Sequence, residues 1–131
     1  MKAEEFDAVI RDLNSRKIPG TVKRVVAGML DKKAENIVVL RLKGINDITD
    51  YMIICHGHST RQNSAIADDI QVKLKDEFNI KPFSVEGQRE SEWVLLDYID
   101  FLVHIFTEET RRKYSLEKLW MDAKRYNFFI A

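Results

Sequence analysis

Cysteine is almost absent from this chain of 131 residues, in which Cys55 is the only one. A single cysteine excludes an internal disulfide, and its place in an apolar run predicts an inert core thiol in a reducing compartment. Long apolar runs are also missing, so we expect no membrane-spanning segment. The acidic N-terminus lacks the apolar stretch of a secretory signal, and the cytoplasm is the expected location.

An excess of charge of either sign is missing as well, because 21 basic residues balance 21 acidic ones. The whole molecule therefore has no field that would draw it onto a polyanion by counterion release. If the protein binds a large assembly, we expect contacts with protein to dominate.

Prolines are also few, and the pair Pro19-Gly20 marks the first boundary in the chain. Before it, an apolar stripe with helical period predicts a helix; the stripe consists of Phe6, Val9, Ile10 and Leu13. We predict that residues 1–20 are an N-terminal helical extension and linker and that residues 21–131 form one domain. The hydrophobic content of 45% is sufficient for a single core.

The pattern after residue 20 predicts an α/β fold. An amphipathic helix begins near Thr21, and a long helix begins after Ser59 or Thr60 and ends at Asn79, before Pro82. Short β-branched or aromatic runs predict strands at residues 36–43, 50–56, 83–86, 92–98 and 101–107. The last three are joined by short links and should be antiparallel. We therefore expect a mixed five-stranded sheet flanked by helices, with a helical C-terminus.

The last two predicted strands form a hairpin with a local acidic excess. Residues 86–109 carry seven acidic side chains against one basic side chain, a net charge of −6. A two-residue turn at Tyr98-Ile99 would place Asp97 opposite Asp100. One face of the hairpin would then carry Trp93, Leu95, Leu102 and His104, and Tyr98 would point to the other face.

Two interpretations of this hairpin are open. In one, Trp93 is a core tryptophan covered by a helix, and the acids are merely solvated. In the other, Trp93 and Leu95 are an apolar anchor ringed by carboxylates, the anatomy of a protein-binding hot spot for a basic partner. An open apolar face also predicts self-association into a homodimer.

Six segments together resemble the ribosomal silencing factor family, also called Iojap-like, in their order and spacing. They are residues 47–54 (DITDYMII), 57–62 (GHSTRQ), 85–87 (VEG), 92–98 (EWVLLDY), 103–106 (VHIF) and 116–120 (LEKLW). The resemblance spans about residues 22–123. It implies a nucleotidyltransferase-like fold without enzymatic activity.

The same resemblance implies a partner, a mechanism and a site. Such proteins bind ribosomal protein fourteen (uL14) of the large ribosomal subunit, block joining of the small subunit and so repress translation. The partner-binding residues implied are Trp93, Leu95, Asp97 and Tyr98, with Asp100 and Glu86 as electrostatic contributors. Ile99 stands where the family has glycine. Since a β-branched residue tolerates positive φ poorly, we expect a changed turn type.

The alternatives to docking are an enzyme, a metal site and an RNA-binding module. A nucleotidyltransferase needs two carboxylates spaced Asp-x-Asp on a strand, but Asp50 is followed two residues later by Met52. His56 and His58 are too few for a zinc site, and Cys55 would point away from them. Basic residues near the C-terminus predict at most a peripheral contact with ribosomal RNA. We therefore expect no catalytic residue, no metal and no cofactor.

Overall fold

The computed structural model describes residues 3–130 of the chain. Its helices are α1 (Ala3–Ser15), α2 (Gly20–Asp31), α3 (Thr60–Phe78) and α4 (Glu108–Tyr114), with a 3-10 helix at Leu116–Trp120. Its strands are β1 (Glu35–Arg41), β2 (Tyr51–Gly57), β3 (Ser84–Glu86), β4 (Trp93–Asp97), β5 (Phe101–Thr107) and β6 (Lys124–Phe128). The α/β class is confirmed.

The signals at the ends of α3 act as the sequence predicts. The hydroxyl of Ser59 accepts a hydrogen bond from the backbone N–H of Gln62, which satisfies one free donor of the first turn. Asn79 ends the helix in the left-handed conformation, at φ 56. Helix α3 is thus capped at both ends by residues that the sequence had marked.

The six strands form one mixed sheet in the order β3-β4-β5-β2-β1-β6. Strand β2 pairs with β5 in parallel, and the other neighbours are antiparallel, including β3 with β4 and β4 with β5. The parallel pair requires a crossover, and α3 lies on the connection between its two strands.

The predicted helix after β5 is confirmed as α4, but the predictions of five strands and of a helical end were wrong, because β6 adds a sixth strand at the edge beside β1. Its sequence, KRYNF, alternates exposed polar residues with the buried rings of Tyr126 and Phe128. Such a short, half-polar segment is stable as a strand only when a neighbour supplies its hydrogen bonds and covers one face. That neighbour is 83 or more residues earlier in the chain.

The two faces of the sheet are covered differently. On the inner face, α1, α2 and α3 enclose the main core, in which Val26, Ile53 and Leu74 are fully buried. The predicted N-terminal helix is confirmed, and Leu13 on it is only 1% exposed. On the outer face, a smaller apolar cluster on β1, β2 and β5 is covered in part by Leu116 and Trp120 of the 3-10 helix. None of the helices in residues 3–130 combines the length and apolar character needed to cross a membrane.

Gly87 connects the edge strand β3 to the loop before β4 and has φ 78. A Cβ atom there would collide with the backbone carbonyl of Trp93, the first residue of β4. Gly44 has a similar φ of 85, but a Cβ there would meet open space. The two glycines share the left-handed conformation and differ in the available room.

We therefore predict that Gly87→Ala lowers the free energy of unfolding by about 2 kcal/mol more than Gly44→Ala does. Strain from positive φ is common to both variants, so the difference reports the collision with Trp93. Urea unfolding followed by circular dichroism measures both. Equal losses of unfolding free energy in the two variants would show that the loop before β4 shifts to make room for the added Cβ atom at little cost.

Candidate protein-binding face

The hairpin of β4 and β5 presents one face away from α1, α2 and α3. Trp93, Leu95 and Asp97 alternate along β4, and their partners across the hairpin are Phe106, His104 and Leu102. The predicted register, with Trp93 opposite His104 and Asp97 opposite Asp100, was wrong by two residues. Because side chains alternate with period two, this shift preserves the predicted faces.

The register differs from the predicted one because the tip of the hairpin is at Ile99 and Asp100. A carboxylate oxygen of Asp97 accepts a hydrogen bond from the backbone N–H of Ile99, at 2.8 Å. The backbone N–H of Tyr98 bonds to the carbonyl of Phe101, at 3.0 Å, and extends the ladder by one pair beyond Asp97. The two carboxylates are therefore not directly opposite each other.

Ile99 has a φ of 72°, the left-handed conformation that its β-branched side chain disfavours, and the expected change of turn type relative to the family stays a prediction. The surrounding bonds hold this conformation in place. The hydroxyl of Thr49 donates to the carbonyl of Ile99, at 2.9 Å, and the backbone N–H of Asp50 donates to the carbonyl of Asp100, at 3.1 Å. The tip is thus fastened to the start of β2, and these contacts offset the strain.

Trp93 is half-buried on this outer face and is held on several sides. Its indole N–H donates to Nδ1 of His104, at 2.9 Å. The ring centroid lies 5.0 Å from that of Phe106 and 4.7 Å from that of Tyr114. Trp93 is therefore neither sealed in the core nor free in solvent, and its orientation is set before any partner arrives.

Tyr98 lies on the opposite face, as the alternation of side chains predicted. It is 8% exposed, its ring stacks on Phe101 at 4.9 Å, and both belong to the main core under the helices. Burial raises the pKa of its hydroxyl to about 12. Its geometry fits support of the hairpin, in contrast to the partner contact that the resemblance implied.

Acidic side chains border the open face. Glu86 on β3 pairs with Leu95 in the ladder and is exposed, as is Asp100 at the tip, while Asp97 is half-buried. Glu92, Glu108 and Glu109 are exposed at the other end of the hairpin. The structure therefore places Trp93, Leu95, Asp97, Asp100 and Glu86 around one accessible surface, which we call the hairpin face.

The C-terminal segment after α4 covers part of the outer face of the sheet beside the hairpin face. The sequence analysis did not predict this cover. Leu116 and Trp120 pack on the outer apolar cluster, where Leu40 and Ile54 are almost fully buried. Leu119 is 67% exposed on the same 3-10 helix. The four-residue spacing of Leu116 and Trp120 was the available signal for a segment with one buried side. This segment covers β1 and β2 most completely, and it leaves Trp93 and Leu95 on β4 half-buried.

Arg111 anchors that segment. The sequence analysis did not identify this side chain as part of the site. Its guanidinium donates to Glu117 of the 3-10 helix, at 3.0 Å from Nε, and to Nδ1 of His56 on β2, at 3.0 Å. It also donates to the backbone carbonyl of Glu35, at 3.4 Å. One cation thus ties α4 to the 3-10 helix, β1 and β2.

Three residues that could ligate a metal meet beside this cation. Atoms of Glu35, His56 and Glu108 lie within 4.8 Å of one another, and His58 contacts the other oxygen of Glu35 at 3.1 Å. Arginine is only a donor, so Nδ1 of His56 must accept and Nε2 must carry the proton, which it donates to Glu35 at 3.2 Å. A metal on Nε2 would leave Nδ1–H facing the guanidinium, contrary to the acceptor that metal-bound histidines face. The arrangement fits a closed hydrogen-bond network better than a metal centre.

The pKa values agree with that network. Burial, together with the charge of Arg111, holds the pKa of His56 below its usual range, so the ring stays neutral at physiological pH. Burial alone would raise the pKa of Glu117, but its hydrogen bond to Arg111 and the positive charge there lower it. Cys55 is fully buried and its pKa is raised to about 12, as a core thiol requires.

The residues of the rival enzymatic site do not converge. Asp47 is exposed in the loop before β2, whereas Asp50 precedes the strand and bonds through its backbone to Asp100. Met52, at the place of the second carboxylate, is 7% exposed in the outer apolar cluster. The two-carboxylate geometry of a phosphoryl-transfer metal site is not built here.

Glu117 gives a testable pH dependence. Its folded pKa is lowered, so its contribution to stability is present above the ordinary value of 4.5 and is lost as the pH falls through the folded value. We predict that wild type is more stable than Glu117→Gln at pH 7 and that the difference shrinks steadily below about pH 4.5. Thermal unfolding of both proteins from pH 7 to pH 3 measures it. A difference independent of pH would mean that the ion pair with Arg111 contributes nothing through charge.

Comparisons with known proteins agree with one another. Residues 15–129 match the family described as ribosomal silencing factor during starvation. The chain is 46% identical over 93 residues to the ribosomal silencing factor RsfS of Halalkalibacterium halodurans, covering 71% of this chain and 79% of that protein. It is 44% identical over 102 residues to RsfS of Bacillus subtilis, covering 78% and 86%. A crystal structure of a protein from Chromobacterium violaceum superposes with a TM-score of 0.76 at 30% identity, covering 88% of this chain and 95% of that one.

Proposed function

Because the chain belongs to the ribosomal silencing factor family, we propose that its hairpin face docks on ribosomal protein fourteen (uL14) of the large subunit. Bound there, the protein blocks association with the small subunit and represses translation. The observation that carries this proposal is a half-buried, pre-oriented tryptophan bordered by exposed carboxylates, on a molecule whose total net charge is zero.

The aromatic anchor supports a protein partner. Interfaces between proteins concentrate their binding energy in a few central aromatic side chains surrounded by polar rims. Trp93 already contacts Phe106 and Tyr114, so little side-chain entropy is lost when a partner covers it. Leu95 and Leu102, both half-buried, extend the apolar area beside it.

The carboxylates support a basic partner. Asp97, Asp100 and Glu86 border the hairpin face, and a protein that itself packs on ribosomal RNA carries positive charge for that purpose. Opposite charges would speed the encounter and select the orientation of docking. Because the net charge of the whole molecule is zero, the attraction to a basic partner comes from this local acidic border and not from overall charge.

The proposed mechanism is steric and uses no catalytic group or cofactor. A body roughly 30 Å across, set on the surface that faces the small subunit, occupies space needed for subunit contacts. Silencing then depends on affinity and ends with dissociation. The place of action is the cytoplasm, where the subunits meet, and the predicted likeness to nucleotidyltransferases concerns the fold alone.

Three subsidiary proposals go with this one. The exposed basic side chains of Lys113, Lys118 and Lys124 would make peripheral contacts with ribosomal RNA. In the absence of its partner, the hairpin face can pair with that of a second copy as a homodimer. Residues 21–131 form the silencing domain, and residues 1–20 are an extension that this domain uses to complete its core through Leu13.

Replacing the anchor tests the site. We predict that Trp93→Ala weakens binding to purified large subunits by roughly 30-fold or more, because a central aromatic contact is lost. Co-sedimentation at several protein concentrations measures it, with circular dichroism as the check on folding. The matched control is Phe129→Ala, an aromatic residue 63% exposed just after β6, towards the far edge of the sheet. Wild-type affinity in a folded Trp93→Ala protein would remove the hairpin face from the site.

Charge reversal tests the nature of the partner. We predict that the pair Glu86→Lys and Asp100→Lys weakens binding at least several-fold, and that the loss shrinks as salt is raised. Asp97 is left unchanged because it also holds the turn. The control pair, Asp31→Lys and Asp76→Lys, makes the same change in net charge at exposed helix positions. If both pairs weaken binding equally, the partner senses total charge and the acidic border has no specific role.

A further inference from the structure

We infer that His104 is a positioning residue for docking: its Nδ1 holds the indole of Trp93 in the orientation that the partner binds. This inference rests on the proposed function. His104 lies on the outer face of β5, between Leu95 on one neighbouring strand and Ile54 on the other, and is 5% exposed.

The hydrogen bond from Trp93 defines the state of this histidine. An indole N–H can only donate, so Nδ1 of His104 must be unprotonated and Nε2 must carry the proton. Burial lowers the pKa of His104 to about 4, so the ring remains a neutral acceptor at physiological pH. A protonated ring would present a second donor to the indole and break the bond.

The aromatic contacts of the indole carry no directional demand on its N–H. Phe106 and Tyr114 contact its ring at tilts of 33° and 44°, and such contacts depend on the ring faces and edges. The hydrogen bond supplies this demand, because any other rotation would leave the N–H of Trp93 without its acceptor. The imidazole is itself fixed by stacking on Phe106, with 9° between the ring planes.

The buried Nε2–H of His104 has no hydrogen-bond partner among the described residues. A side chain that served packing alone could be apolar without the loss of any hydrogen bond within residues 3–130 other than the one to Trp93. The bond from the indole is therefore the polar contact that distinguishes His104 from an apolar residue at this place.

Two substitutions of His104 that have nearly the same shape as each other separate the effect of the hydrogen bond from that of packing. Asparagine places an amide oxygen near the position of Nδ1, whereas leucine has about the same shape and no acceptor. We expect His104→Asn to bind large subunits within about threefold of wild type and His104→Leu to bind about tenfold more weakly, although leucine suits an apolar site. Co-sedimentation measures binding, and thermal unfolding measures stability.

A structural role alone would make both variants lose binding together, in step with their stability, and that result would overturn the inference. So would wild-type binding by a folded His104→Leu protein. If wild type fails to bind large subunits, the proposed function fails. If wild type binds but the Asn and Leu variants bind equally to each other, the proposed function stands and only the inference about His104 fails.

A measurement on the unmodified protein covers the case in which His104→Leu does not fold. Ring ¹⁵N spectra distinguish the two neutral histidine tautomers from each other and from the cation. We expect His104 at pH 7 to carry its proton on Nε2, with a coupling between Nδ1 and the Trp93 indole proton. A proton on Nδ1, or a charged ring, would overturn the inference independently of any ribosome experiment.

Discussion

The ion pair between Arg111 and Glu117 determines how much of the outer sheet face is left open. Arg111 follows β5 by four residues, and its guanidinium also reaches the carbonyl of Glu35 and the ring of His56. Both charges are largely buried, at 11% and 16% side-chain exposure, so each requires the other to remain in place. The segment that carries Leu116 and Trp120 is thereby held over the middle strands, and the hairpin stays outside its cover.

Within the hairpin, a few polar groups hold the surface that we propose for recognition. Asp97 holds the tip through the N–H of Ile99, and His104 holds Trp93. Thr49 fastens the tip to the start of β2. Because these bonds form within the chain itself, they fix the side chains and the tip of the hairpin face, so the proposed association would lose less conformational freedom than one made by a flexible loop. The steric mechanism that we propose needs this property more than it needs chemical groups.

Much of the fold could be predicted from local patterns. The caps of α3, the hydrophobic stripe of α1 and the alternation along β4 depend on neighbours in sequence, so their predictions were confirmed by the structure. Alternation also placed Tyr98 correctly on the helix-covered face. The hairpin register was wrong because it depends on the tip, where contacts from Thr49 and Asp50 stabilise a left-handed Ile99 that its own side chain disfavours.

By itself, the sequence determined the class of the fold, the two faces of the hairpin and the residues that gather on its open side, because period-two alternation is a local property. Only the tertiary structure decided that 124–128 is a strand, since that segment gains its hydrogen bonds from β1. It also decided how far Trp93 is exposed, which depends on a C-terminal segment held by Arg111, and that His104 lies beneath the indole. Pairings of this kind join residues distant along the chain, and no local pattern encodes the distance between them.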